Sequence, residues 1–134
     1  MENTTTCLNG KVKTINYTKI IKLSTYNCEV KVIITNKLKE ESEKIYKKYD
    51  LKDDDDGENE GLLISPDIDK YFLMVDTKYL SHNTIAHEVY HATVRVTEDR
   101  GISDEESQAW LCGHMTGVIY KFLEKKTLTI KHGG

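Results

Sequence analysis

The spacing of apolar side chains changes along the chain from a strand pattern to a helix pattern. Up to about residue 35, β-branched and aromatic residues recur in short runs, of which Cys28–Thr35 is the clearest, so this part predicts strands. Asn36 then precedes a segment in which Leu38, Ile45 and Tyr49 recur at helical spacing among lysines and glutamates. We therefore expect an early helix, with Asn36 as its cap.

The middle of the chain predicts two further strands behind a charged loop. Residues 53–56 are four consecutive aspartates, and an EF-hand register centred on Gly57 would place Lys52 and Leu63 where carboxylates are required. A mobile acidic loop at about residues 50–61 is the better interpretation. The apolar runs that follow predict two short strands around a turn at Pro66, and both would join the same sheet.

The last third has the period of helices. Ser81 or Asn83 can cap a helix that ends near Gly101, and Ser103 can start a second one. The apolar stripe of the first helix is Ile85, Val89, Ala92 and Val96. The chain thus predicts one α+β domain over residues 1–134, with a small antiparallel sheet, one early helix and a C-terminal antiparallel helix pair.

Composition narrows the class of protein. The chain has 134 residues, of which 38% are apolar, and its 19 basic and 22 acidic residues give a net charge of -3. This charge does not suit a nucleic-acid binder, and no apolar run reaches the roughly 18 residues that span a bilayer. Residues 1–6 lack the features of a signal peptide, so we expect a cytoplasmic protein that uses neither nucleic acid nor membrane.

The chemistry is concentrated in residues 87–91, which read His-Glu-Val-Tyr-His within the first predicted helix of the pair. Four residues advance a helix by about 400°, so His87 and His91 leave the same face about 6 Å apart along the axis. Two imidazole nitrogens there can bind one Zn2+ at about 2.0–2.1 Å. Glu88 lies about 100° around the helix, where it can take a proton from a zinc-bound water.

A catalytic zinc site needs a third protein ligand, and the second helix offers the candidates. A chain reversal near Gly101 would bring the early turns of the second helix back toward the histidine pair. Glu106 and His114 are therefore candidate third ligands, and Glu105 is a less well placed one. Glu106 also has a competing explanation, because Ser103 and Glu106 have the spacing of a capping box.

Two stretches resemble a known family. Residues 84–92 read Thr-Ile-Ala-His-Glu-Val-Tyr-His-Ala and residues 98–102 read Glu-Asp-Arg-Gly-Ile. They resemble small zinc metallopeptidases of the glutamate-zincin group, assigned in bacteriophages and related elements. The second family signature, Asp-Glu-x-x-Ala-Tyr-Leu-x-Gly-Tyr, compares with residues 105–114, which read Glu-Glu-Ser-Gln-Ala-Trp-Leu-Cys-Gly-His. The resemblance covers roughly residues 71–121.

The resemblance implies that Glu106 is the third zinc ligand. Glu105 and His114 depart from the signature, and the connection between the helices is a few residues shorter than in the family. His114 could stabilise an oxyanion, orient Glu106 or simply pack.

These observations predict a zinc-dependent peptide hydrolase with Glu88 as general base, acting on a peptide or protein that lies along an edge strand at residues 71–75. One alternative is a catalytically silent zinc-binding protein with a structural or interaction role in a phage or mobile element. Another is that no metal binds. Substrate identity and oligomeric state are not readable from the residues.

Overall fold

The computed structural model describes residues 7–8, 11–52 and 59–132. The acidic run at the centre of the predicted loop, residues 53–58, lies outside the described residues. The strands are β1 (Cys7–Leu8), β2 (Lys11–Val12), β3 (Asn16–Leu23), β4 (Cys28–Thr35), β5 (Gly61–Asp67) and β6 (Lys70–Asp76), and the helices are α1 (Leu38–Lys48), α2 (His82–Asp99) and α3 (Glu105–Lys125). The predicted α+β fold, with an early helix and a C-terminal helix pair, is confirmed.

The main sheet has the strand order β3-β4-β6-β5. The β3–β4 and β5–β6 pairs are antiparallel, whereas β4 and β6 run parallel, so the expectation of an antiparallel sheet is wrong for the central pair. The connection from β4 to β6 contains α1 and β5, and this length allows the chain to return for a parallel pairing.

The same strand order corrects the predicted edge. Residues 71–75 belong to β6, which is hydrogen-bonded on both sides, and the outer strands of this sheet are β3 on one side and β5 on the other. The predicted turn is also displaced, because β5 continues through Pro66 with an irregularity between Ile64 and Asp67, and the chain reverses at Ile68 and Asp69.

Alternation of side chains along the strands separates two apolar layers. One face of the sheet packs on α1 through Ile33, Met74 and Phe72. The other face, which includes Val32 and Leu73, packs on α2 and α3. The apolar stripe of α2 is at most 1% exposed. Burial of Ile85, Val89 and Val96 is worth about 1.5–3 kcal/mol for each side chain, so the rotation of this helix about its axis is fixed.

The C-terminal end of α2 is tied to the sheet by a polar network. The Tyr71 hydroxyl donates to Asp99 Oδ2 at 2.6 Å and accepts from Arg100 Nη1 at 2.9 Å. The Arg100 guanidinium also donates to the carbonyl oxygens of Tyr26 and Ile68. These bonds fix the end of the helix that carries the histidine pair.

Helix caps agree with the sequence prediction at one of three positions. Ser81 caps α2 by accepting a hydrogen bond from the Thr84 amide at 3.0 Å, as predicted. Asn36 does not cap α1, because its amide side chain instead joins Ile15 N and Lys13 O, each at 2.8 Å, and thereby holds the start of β3.

The third cap lies one residue later than predicted. Asp104, rather than Ser103, caps α3 by accepting from the Ser107 amide at 2.9 Å, so the capping box proposed for Ser103 and Glu106 does not form. Within the described segments, no helix has the length and apolar character needed to cross a bilayer.

Candidate metal centre

His87 and His91 converge on one point at the surface of α2. Their Nε2 atoms are 3.0 Å apart, and their rings meet edge to face with centroids 4.6 Å apart. Two bonds of about 2.05 Å that meet at a tetrahedral angle separate their donor atoms by about 3.3 Å. Both side chains are exposed, since the buried stripe of α2 turns this face outward. The pair therefore has the spacing that a single zinc ion requires.

Glu88 lies beside this pair and is buried. Its side chain is 7% exposed, and its Oε2 is 4.0 Å from His87 Nε2. Burial raises the pKa of the Glu88 carboxyl, and the neighbouring His87 opposes this effect. No described residue donates a hydrogen bond to the Glu88 carboxylate. This placement suits a base that acts next to the pair better than a third ligand.

A cleft of about 410 Å3 separates α2 from the edge strand β5. Its walls include Gly61 and Leu63 from β5, and His87, Glu88 and His91 from α2. The three residues of the predicted motif thus face a groove bordered by a strand edge.

The hydrogen-bond phase of β5 shows which backbone groups face this cleft. Asp76 N donates to Glu60 O at 3.0 Å, and the register then pairs Gly61 with Val75. Bonded and non-bonded pairs alternate in an antiparallel ladder, so the N–H and C=O groups of Gly61 and Leu63 point away from β6. The edge therefore offers two donors and two acceptors to an extended chain.

Glu106 is not brought to the histidine pair. It is exposed in the first turn of α3 and does not line the cleft. His82 Nδ1 lies 2.5 Å from the Tyr120 hydroxyl, so the first residue of α2 packs beside the later part of α3.

His114 lies on another surface. Its ring stacks on Trp110 with centroids 5.1 Å apart and planes 6° apart, and it borders a separate depression beside Gly113 and Gly117. Glu105, the remaining candidate, is exposed in the first turn of α3. Over the described ranges, no three His, Cys, Asp or Glu side chains form a group that could hold a metal. The structure thus unites His87, Glu88 and His91 but not the candidates on α3.

Sequence reasoning missed the contribution of β5. Gly61 was included in the acidic loop, although a glycine at the start of an apolar run can signal a close backbone approach. That signal was present but could not show what the backbone approaches.

Comparisons with known proteins do not identify the chain: no family model, curated protein or solved structure matches it. The site is therefore interpreted from its own geometry.

Proposed function

We propose that this protein is a zinc-dependent peptide hydrolase, in which His87 and His91 hold the zinc ion and Glu88 is the general base. The observation that carries the proposal is the convergence of two imidazole nitrogens 3.0 Å apart, with a buried carboxylate 4.0 Å from one of them. Neutral imidazoles are preferred zinc ligands, so the donor set fits the ion. When bound, zinc supplies Lewis acidity, which lowers the pKa of water and polarises a carbonyl group.

Completion of the metal site by Glu106 remains a prediction from the family resemblance. Glu106 lies in the first turn of α3 and outside the cleft, so its position does not support this role. The proposed roles of His114 gain no support from its position against Trp110.

Glu88 supplies the proton transfers. Its carboxylate accepts a proton from the attacking water and returns it to the amine that leaves the cleaved peptide bond. A base works best when its pKa is close to the working pH, and burial shifts the pKa of Glu88 upward in this direction. The same burial limits competing contacts with solvent.

The edge of β5 supports an extended peptide as the substrate. The outward N–H and C=O groups of Gly61 and Leu63 can pair with a peptide backbone laid in the cleft, which adds a strand to the sheet. This arrangement replaces the predicted path along residues 71–75. We propose that the reaction takes place in the cytoplasm.

Glu88→Gln tests the proposed reaction. We expect it to retain zinc and to lose hydrolysis of a mixed peptide library, because the amide keeps the shape of the side chain but cannot act as a base. Zinc content and new amino termini are measured on the same samples. Glu43→Gln, a change to an exposed carboxylate on α1, is the control and keeps full activity. Peptide hydrolysis at the wild-type rate by pure Glu88→Gln would rule out Glu88 as the general base.

A second candidate function is zinc binding without hydrolysis, as in a structural or interaction component of a phage or mobile element. It is favoured by one observation, namely that His87 and His91 converge while no three His, Cys, Asp or Glu side chains of the described residues form a group that could hold a metal. One equivalent of zinc without cleavage of any peptide in the library would support this alternative.

A further inference from the structure

Gly61, at the start of β5, lies close to the proposed base. A Cβ atom added at Gly61 would lie 2.8 Å from Glu88 Cγ and 3.0 Å from both Cδ and Oε2. Ordinary contacts between carbon atoms are about 3.5–4.0 Å. The backbone of β5 therefore lies directly against Glu88, in space that any side chain at position 61 would fill.

This contact helps to determine where the carboxylate points. Glu88 is 5% exposed, yet no described residue donates a hydrogen bond to its oxygens. Packing therefore holds the side chain, and Gly61 lies close enough that a Cβ atom there would meet Glu88 at Cγ, Cδ and Oε2.

We propose that Gly61 is a positioning residue for the general base: its missing side chain lets β5 close over Glu88 and hold the carboxylate beside His87. This inference rests on the proposed function. The edge strand β5 would then have two roles. The backbone of Gly61 would bind the substrate peptide, and the same residue would orient the Glu88 carboxylate.

A substitution at Gly61 should move the carboxylate rather than the strand. Gly61 pairs with Val75 in the β5–β6 ladder, and the adjacent bond from Asp76 N to Glu60 O fixes the backbone at 3.0 Å. The three nearest atoms that a Cβ would meet all belong to the Glu88 side chain, and none belongs to backbone. A rotation that displaces the side-chain atoms by about 0.5–1 Å relieves the overlap. Movement of β5 away from Glu88 would instead break hydrogen bonds of the β5–β6 ladder.

The experiment compares Gly61→Ala with Gly113→Ala, a change in open space on α3 where an added Cβ meets no atom within 4 Å. We expect Gly61→Ala to lower kcat by about 10–100-fold, because a misplacement of roughly 1 Å can cost a factor of about 100. KM and zinc content should stay unchanged, and Gly113→Ala should match the wild type.

A second measurement does not depend on activity. Crystal structures of metal-free wild type and Gly61→Ala should show the same β5 backbone and a displaced Glu88 carboxylate. If the Glu88 carboxylate of Gly61→Ala is not displaced, or if the wild type is active and Gly61→Ala has the same kcat, the inference is overturned and the proposed function stays intact. If the wild type cleaves no peptide, the proposed function fails separately, and the crystal structures still decide whether Gly61 positions Glu88.

Discussion

Tyr71→Phe tests how firmly α2 is tied to the sheet. The substitution keeps the ring, which is 1% exposed, and removes only the hydroxyl that donates to Asp99 at 2.6 Å and accepts from Arg100 at 2.9 Å. Hydrogen bonds to charged groups contribute about 1.5–3 kcal/mol each. Because Asp99 is exposed and Arg100 half-buried, water can replace part of what is lost, and we expect a net cost of about 2 kcal/mol.

Urea denaturation followed by circular dichroism measures this change in the free energy of unfolding. Tyr90→Phe is the matched control, because Tyr90 lies on the same helix with a side chain that is 64% exposed, and it should change stability by less than about 0.5 kcal/mol. A loss of about 2 kcal/mol corresponds to a fall in Tm of roughly 6–10 °C. If Tyr71→Phe is as stable as the control, the network does not anchor α2.

The same residue predicts an alkaline transition. Burial and the hydrogen bond to Asp99 raise the pKa of Tyr71 to about 12. The unfolded chain releases this proton near pH 10, so the contribution of Tyr71 to stability is complete below about pH 10 and is lost as the pH rises through about 12. Tyr71→Phe should lack this part of the decline in alkaline denaturation.

Two further predictions concern the helices. Because burial raises the pKa of Glu88, its contribution to the stability of the metal-free protein is present below about pH 4.3 and falls as the pH rises through the folded-state value. Metal-free Glu88→Gln should therefore be more stable than the wild type at neutral pH, and the difference should shrink near pH 4. Urea denaturation in the presence of a chelator measures this difference. A variant that is less stable than the wild type at neutral pH would contradict the prediction. Asp104→Ala should lower the midpoint of urea denaturation through loss of the α3 cap, whereas Ser103→Ala should lower it less; equal shifts would contradict the observed cap.

Local patterns predicted the elements well. The strand Cys28–Thr35 is confirmed residue for residue, because its β-branched run is bounded on both sides by residues suited to turns. The helix of the motif is confirmed together with its Ser81 cap, since a long apolar stripe of helical period and a capping residue agree.

Long-range features were not predictable in the same way. The position of β5 at the edge follows from the parallel pairing of β4 with β6, which no local pattern reports. Asn36 has the residue type of a cap but binds Ile15 across the fold, so tertiary contact overrides the local preference.

The candidate site shows the same division. The helical spacing of His87 and His91 alone was enough to predict that their nitrogens converge, and the structure places them 3.0 Å apart. Placement of Glu106 depends instead on the offset between α2 and α3, which the short connection between the helices and the packing of both helices determine.

The most direct test of the central claim is the zinc stoichiometry of the purified protein. After removal of metal and dialysis against zinc, we predict one equivalent bound to the wild type and none to a His87→Ala/His91→Ala variant. The control His132→Ala, whose ring lies against His82 at the start of α2, should also bind one equivalent. Equal zinc content in the wild type and the double variant would contradict the assignment of His87 and His91 as the metal centre.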